Sequence, residues 1–329
     1  MLVLGADDVR QALPMDAAIE AMKHAFAALS DGRAVVPMRT HLPVERYDGV
    51  SLIMSAFVDA PEGQALGLKV ISLVGGNPAR GLPLVHAAVL ALQPDTGRPV
   101  ALLEGAALTA IRTAAACGAA TDLLARPDAC TFAVLGAGVQ ARTQLEAVCT
   151  VRSIATAWIH DPIPGKAEAM AAEMAGRGPI PTDLRTALTA REALADADIV
   201  SAATTATTPA FDDADLKPGA HINAIGSYQP HVVEVPPQTV VRALVVVDDR
   251  DSALDETGDL IQPIRHGLIT PRHVHADLGE LVLGRKPGRT APDQITLFKT
   301  VGVAIEDVMA ARLALANAEQ LGLGQRVVW

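Results

Sequence analysis

At 329 residues, half of them apolar and 19% charged, the chain can pack two domains and is too hydrophobic to be disordered. A net charge of −10 with no run of Lys or Arg excludes a nucleic-acid-binding surface. Three cysteines, Cys117, Cys130 and Cys149, show no C-x-x-C spacing, which excludes a disulfide framework or zinc knuckle and fits a reducing compartment.

In chain order, residues 7 to 31 read as one helix. Ile19, Met22, Phe26 and Leu29 recur at helical spacing, Pro14 suits a first turn, and Asp31-Gly32 stops it. The N-terminus, Met1-Leu-Val-Leu-Gly-Ala-Asp-Asp, lacks the basic segment and long apolar run of a signal peptide. No uncharged apolar stretch reaches the ~18 residues of a membrane span, so a cytoplasmic protein with no membrane partner is expected.

From 35 to 103 the pattern is of strands, with apolar runs at Val50 to Val58, Leu66 to Val74 and Leu84 to Leu92. Asp48-Gly49, Gly75-Gly76-Asn77-Pro78 and Pro94-Asp95-Thr96-Gly97 supply the turns. This is a sheet backed by a helix rather than a nucleotide fold. Lys69 lies mid-strand and by alternation shares a face with Ile71 and Leu73. Taken alone, such a lysine reads as an edge residue. The other reading aims it into a site, where its pKa falls. His41 and His86, polar residues within apolar runs, read as satisfied structural histidines.

Gly105 to Ala125 is an alanine-rich helix that bridges to a second domain, and Arg112 is its one charged side chain between Glu104 and Asp122. A cation among apolar neighbours needs an anion: a structural carboxylate or that of a substrate. Arg39, in Pro37-Met-Arg-Thr-His-Leu-Pro43, joins Lys69 and Arg112 as a third cation of the first domain. Together they would make an anion pocket.

The run Thr131-Phe-Ala-Val-Leu-Gly-Ala-Gly-Val-Gln-Ala-Arg142 has the order of a dinucleotide-binding turn: apolar strand, Gly136-x-Gly138-x-x-Ala141, helix. Gly136 permits the tight turn and Gly138 lets a pyrophosphate approach the backbone. Ala141 lets helix and strand pack closely, and the helix N-terminus offers N–H groups to phosphate. Candidate strands at 132–135, 155–160, 198–202, 220–225 and 244–248 alternate with helices near 138–149, 165–176 and 189–195. That is a Rossmann-type doubly wound parallel sheet, here accompanied by a smaller α+β domain. Gly302 to Leu321 reads as a last helix with Ile305, Val308, Met309 and Leu313 at core spacing.

Asp161 follows the second strand of this fold, 25 residues past Gly136, where an acid binds ribose hydroxyls and repels a 2′-phosphate; the other reading is a loop aspartate before Pro162. A nicotinamide or flavin dinucleotide is therefore expected and, between NADH and NADPH, the acid favours NADH. Asp212, Asp213 and Asp215 read as a solvated loop. His273 and His275 have a usable spacing but no acidic or cysteine partner, so no metal is expected.

Several segments together carry a resemblance. They are Asn77-Pro-Ala-Arg-Gly-Leu-Pro83, Thr96-Gly97 with Ala101-Leu-Leu-Glu-Gly105, and Leu108-Thr-Ala-Ile-Arg-Thr-Ala-Ala115. Gly136-Ala-Gly-Val-Gln-Ala141, Asn223-Ala-Ile-Gly226, Gly258-Asp-Leu260 and Phe298-Lys-Thr-Val-Gly302 follow. In this order they resemble the ornithine cyclodeaminase/mu-crystallin family over nearly the whole chain, nearest its ketimine reductase branch.

The resemblance implies a homodimer formed through a substrate-binding and dimerisation domain, residues 1–115, rejoined by the final segment 302–329. The Rossmann domain would span 116–301. It implies that Arg39 and Arg112 hold a substrate carboxylate and that Lys69 orients the substrate or relays a proton. The cofactor contacts it implies are Gly136, Gly138, Val139, Gln140, Asp161, Thr204, Gly226, Ser227 and Thr300, with Phe298 to Gly302 lying by the nicotinamide. The implied activity is reduction of a cyclic imino acid, Δ1-pyrroline-2-carboxylate to L-proline or Δ1-piperideine-2-carboxylate to L-pipecolate. Alternatives within the family are ornithine cyclodeaminase, alanine or another amino-acid dehydrogenase, and a mu-crystallin-like protein that binds NAD(P)H and a small ligand.

One departure bears on that choice. Cyclodeaminases of the family place an aspartate two residues past the glycine of Asn-Ala-(Val/Ile)-Gly, where this chain has Tyr228. A phenol is a poor base at neutral pH, whereas imine reduction needs no carboxylate there. A second departure is Pro162, which stands where NADPH-using members tend to carry arginine and so agrees with NADH. Arg112→Ala is expected to remove most activity and leave the fold intact.

Overall fold

The computed structural model describes residues 1–61 and 63–328. The chain divides into two compact units, Met1–Thr113 with Gly302–Trp329, and Ala114–Val301.

The first unit opens with β1 (Leu2–Leu4), α1 (Ala6–Ala12) and α2 (Met15–Ser30). The single helix expected over 7–31 is thus two. Pro14 has no N–H to continue the first helix and pushes Leu13 off helical geometry (φ −123°, ψ 69°), so it caps the second instead. Strands β2 (Ala34–Val35), β3 (Thr40–Val44), β4 (Gly49–Ala60), β5 (Gly63–Val74), β6 (Val85–Leu92) and β7 (Pro99–Glu104) follow. The helix α3 (Gly105–Leu124) begins here, and the division between the units falls within it.

β4, β5 and β6 pair antiparallel with Met54, Lys69 and Val89 in one row. Their inward face carries Leu52, Met54, Ala56 and Val58 of β4 and Ala65, Lys69 and Ile71 of β5, all buried. Lys69 is therefore central, not at an edge: β5 has a neighbour on each side and its ammonium is fully buried. His41 and His86, by contrast, are exposed on their strands, so neither is the buried structural histidine expected.

Among the described residues the second unit holds eight parallel strands, with ranges in chain order β8 (Thr131–Leu135), α4 (Val139–Val151), β9 (Thr156–His160), α5 (Lys166–Met174), β10 (Leu184–Thr186), α6 (Ala190–Leu194) and β11 (Ile199–Ala202). Then come β12 (His221–Ala224), α7 (Pro237–Arg242), β13 (Leu244–Val247), α8 (Arg250–Glu256), α9 (Gly258–Arg265), β14 (Val274–Asp277), α10 (Leu278–Val282) and β15 (Thr296–Lys299). The sheet runs β10-β9-β8-β11-β12-β15-β13-β14.

This is a Rossmann-type doubly wound sheet. β9 and β10 lie on one side of β8 and β11 on the other, so the order reverses between β8 and β11, where such folds bind ligands at the carboxyl ends of the strands. Its strands are buried on both faces, as Phe132 to Leu135 and Val245 to Val247 show.

The chain ends with α11 (Ala304–Leu321) and β16 (Gln325–Arg326). α11 packs on α2, β4 and β5 of the first unit. Gly67 makes the close approach possible, because a Cβ there would stand 2.6 Å from the Leu90 carbonyl and 3.3 Å from Val308 of α11. Among the described residues no helix is long and apolar enough to cross a membrane.

Candidate active site

The glycine turn joins β8 to α4 at the reversal of strand order. Gly136 has φ +96°, and a Cβ on it would meet the Ala203 carbonyl at 2.5 Å, so the turn requires glycine. A Cβ on Gly138 would project into open space. That space is what a diphosphate needs.

Gly138 is the N-cap of α4 and no side chain among the described residues caps the helix, which leaves the first-turn N–H groups to a ligand. Val139, the first helical residue, is 69% exposed. The Gln140 carboxamide keeps a buried oxygen with no donor among the described residues, and turned about it offers an N–H to phosphate. These features fit a dinucleotide. Asp161 directly follows β9, and its two oxygens accept the Ala137 and Ile163 N–H groups at 2.8 and 2.9 Å. The carboxylate is thereby fixed beside the turn.

Behind the loops that follow β11 and β12 lies a buried acid the sequence reading did not single out. Glu234 accepts from Thr204 N and Thr204 Oγ1 through one oxygen, both at 2.8 Å, and from Gly226 N at 2.5 Å through the other. Burial pushes its carboxyl up to about 7, opposed by Lys299 and assisted by Asp259. Asp259 accepts from Glu234 N and Val235 N and forms an ion pair with Lys299 at 3.1 Å, all three side chains being buried.

Thr204 and Gly226 are thus tied to one carboxylate. The Ser227 hydroxyl donates to Val232 O at 2.6 Å and lies 2.9 Å from Thr257 Oγ1, so it is used within the loop. Thr300 Oγ1 and Val301 N both reach Asp248 Oδ2, at 2.7 and 2.8 Å. Tyr228 is 39% exposed, and partial burial raises its phenol further above neutrality. Asp213 and Asp215, expected as solvated, are paired: Asp213 with Arg242 at 2.8 Å and Asp215 with Arg191 at 2.9 Å.

The first unit holds the cations. Lys69 Nζ lies 2.8 Å from each oxygen of Asp307. Arg112 donates from Nε to Asp307 Oδ1 and from Nη1 to Glu306 Oε2, both at 2.9 Å. The partner that the sequence demanded for Arg112 is a pair of carboxylates on α11. Burial and then Arg112 push the Lys69 ammonium down to about 8 against the pull of Asp307. Burial also works against the Asp307 charge, but Arg112 and Lys69 outweigh it and hold the carboxyl below its ordinary range.

Arg39, half-buried, donates from Nη2 to the Gly302 carbonyl at 2.5 Å. Gly302 has φ +77°, and a Cβ there would stand 2.7 Å from Arg112 Nη1. Gly302 therefore accepts from one arginine and leaves no room for a side chain beside the other. Glu306 and Asp307, two acids in the apolar run Val303-Ala-Ile-Glu-Asp-Val-Met309, stand out in the sequence as Arg112 does, as charges among apolar neighbours. Glu234, in Val232-Val-Glu-Val235, carries the same signal.

Taken together, the strand order and the glycine turn define a dinucleotide-binding protein whose other unit buries a cluster of cations and carboxylates. The family model of the ornithine cyclodeaminase/mu-crystallin family matches residues 1–321, and the chain belongs to that family. It is 38% identical over 328 residues to a Δ1-pyrroline-2-carboxylate reductase of Bacillus cereus, covering 99% of each chain. The structure of Thermococcus litoralis Δ1-pyrroline-2-carboxylate reductase with NADH and L-proline matches at TM-score 0.95 and 42% identity, over 99% of this chain and 100% of that one. An archaeal alanine dehydrogenase dimer with bound NAD matches at TM-score 0.92 and 32% identity, over 100% and 99%.

Proposed function

We propose that the protein is an NAD(P)H-dependent reductase of cyclic imino acids, converting Δ1-pyrroline-2-carboxylate to L-proline, Δ1-piperideine-2-carboxylate to L-pipecolate, or both. The observation that carries the reading is the likeness, along essentially the whole chain, to an enzyme holding NADH and L-proline. A bound dinucleotide would supply the hydride that C2 of the ring accepts once the ring nitrogen is protonated, which gives the amine.

The chain's own part is binding and orientation. Arg112 spends Nε and Nη1 on α11, so Nη2 is the donor for the substrate carboxylate, with Arg39 beside Gly302 as the second. Lys69 faces the same anion and the ring nitrogen. The reaction discharges an iminium rather than building an oxyanion, so catalysis rests mainly on orientation, worth up to roughly 7–11 kcal/mol in favourable cases. The turn at Gly136 to Gln140, with Asp161, Thr204, Gly226, Ser227 and Thr300, would hold the dinucleotide, the Ser227 contact coming through its backbone.

A homodimer built on the first unit is part of this reading. The outward face of its sheet carries Ile53 and Val70, opposite one another and 41% and 39% exposed, with Phe57, Leu66 and Leu68 half-buried around them. So apolar a sheet face calls for a cover. A cytoplasmic setting agrees with the free cysteines, of which Cys130 is exposed.

The likeness to an alanine dehydrogenase supports a second reading, oxidation of an open-chain amino acid. Following NADH and NADPH absorbance with the five- and six-membered imines, and with pyruvate plus ammonia, separates the two. NADH consumption with pyruvate and ammonia but with neither imine would overturn the first.

A further inference from the structure

We propose that Glu306 and Asp307 are positioning residues of the substrate site, fixing the Arg112 guanidinium and the Lys69 ammonium so that their remaining donors present one geometry to the substrate carboxylate. The inference rests on the reductase reading above and extends it to two acids on α11.

The geometry is specific. Arg112 reaches across from α3 into a fork formed by neighbouring carboxylates, Nε to Asp307 and Nη1 to Glu306, which fixes both the plane and the rotation of the guanidinium. Glu306 is itself held, because its Oε1 accepts the Val303 N–H at 2.7 Å in a capping arrangement at the start of α11. Asp307 meets Lys69 with both oxygens and Arg112 with Oδ1, so the two cations are tied to one carboxylate. The charges facing Lys69 are Arg112 from α3 and Glu306 and Asp307 from α11; its row neighbours on β4 and β6, Met54 and Val89, carry none.

Two cations brought this close would repel one another and would take a carboxylate in many poses. The acids make them compatible and leave them aimed. A structural pair alone could sit anywhere in the core. This one ties the Lys69 ammonium, pushed down to about 8, through Asp307 to the guanidinium that borders Gly302, whose carbonyl accepts from Arg39.

The test uses the isosteric variants Glu306→Gln and Asp307→Asn in the full-length protein, which remove charge and keep shape. Positioning predicts a KM for the imino acid raised about tenfold or more with kcat within about threefold, the signature of lost substrate binding. It also predicts that the alkaline limb of kcat/KM moves to lower pH, more in Asp307→Asn, because the carboxylate that raises the Lys69 pKa is gone. The dissociation constant for NADH, read by protein fluorescence, should be unchanged.

A merely structural role would lower the melting temperature and leave the pH limb in place; that result overturns the inference, as does an unchanged KM. If Asp307→Asn does not fold, Glu306→Gln carries the test alone, its limb moving in the same direction by less. A wild-type protein inert toward both imines overturns the reductase reading and this inference with it. Active wild type with indifferent variants overturns the inference alone.

Discussion

Each unit buries a cluster of acids and cations, and the two clusters behave in opposite ways. In the first, two cations meet two carboxylates, and Asp307 is held below the ordinary carboxylate range. In the second, Glu234 and Asp259 share Lys299, and Glu234 is driven up to about 7. Burial costs both groups. What differs is the cation supply, and where it runs short the proton stays on. In the first cluster each carboxylate has a cation beside it, whereas in the second the Glu234 oxygens are taken by the Thr204 and Gly226 amides, so that cluster pins backbone.

The sharpest way to break the comparison is Arg112→Ala. It deprives the proposed substrate carboxylate of its main donor and strands Glu306 in the core, while Asp307 keeps only Lys69. Because a buried partner left uncompensated costs about 3–5 kcal/mol, the fold would not survive this change untouched, contrary to the reading of the sequence alone. The expected result is loss of kcat/KM by about a thousandfold together with a clear drop in melting temperature. Arg112→Lys keeps the charge but loses the fork, and should restore stability well ahead of activity. Near-normal turnover in either variant would remove Arg112 from the site.

Glu234→Gln tests the second cluster. A carboxamide turns an N–H toward a backbone N–H, a mismatch costing about 1–3 kcal/mol. NADH should bind about tenfold more weakly, with the KM of the imine little changed. The pH dependence carries the finer signal. Folded Glu234 keeps its proton up to about 7, whereas a solvated glutamate gives it up near 4.5, so the folded state binds the extra proton across that window. Its contribution to stability therefore falls as pH rises from 4.5 toward 7. Thermal melts across that range should show the downward slope in wild type and a flatter one in the variant. Equal slopes would mean that Glu234 is ionised throughout.

Much of this was legible in the sequence, for physical reasons. The glycine turn and the strands at 131–135, 156–160, 199–202, 221–224 and 244–247 announce themselves through apolar runs and positions where only glycine fits. The break at Leu13-Pro14 was hidden because helical spacing continues across it, and backbone chemistry rather than periodicity decides it. Lys69 read alone as an edge residue, since nothing local shows that β5 is flanked on both sides or that its partner lies 238 residues away on α11. β10, β14 and β15 each carry a charged residue, Arg185, Asp277 and Lys299, which interrupts the short apolar run that marks the other strands.

A smaller effect is expected from Gly302→Ala. The added methyl would meet Arg112 Nη1 at 2.7 Å and hold an L-residue at φ +77°, for about 1–2 kcal/mol of backbone strain. The guanidinium must tilt, so the KM of the imine should rise several-fold to about tenfold while NADH affinity stays put. If both constants move together, Gly302 serves the dinucleotide rather than the arginines.

The mildest change asks which dinucleotide the second unit prefers. Asp161 places a fixed negative charge beside the turn, and a 2′-phosphate brought there would meet it without an arginine at Pro162 to relieve the repulsion. Asp161→Ser removes the charge and keeps a hydroxyl that can still accept from the Ala137 N–H. The expected outcome is a ratio of kcat/KM for NADH over NADPH that falls about tenfold, chiefly through a lower KM for NADPH. Melting temperature should move little, because the Asp161 bonds lie at the half-buried end of β9. A variant with the wild-type ratio would show that the 2′ position is read elsewhere, and the preference for NADH would then lose its structural basis while the dinucleotide turn kept its own.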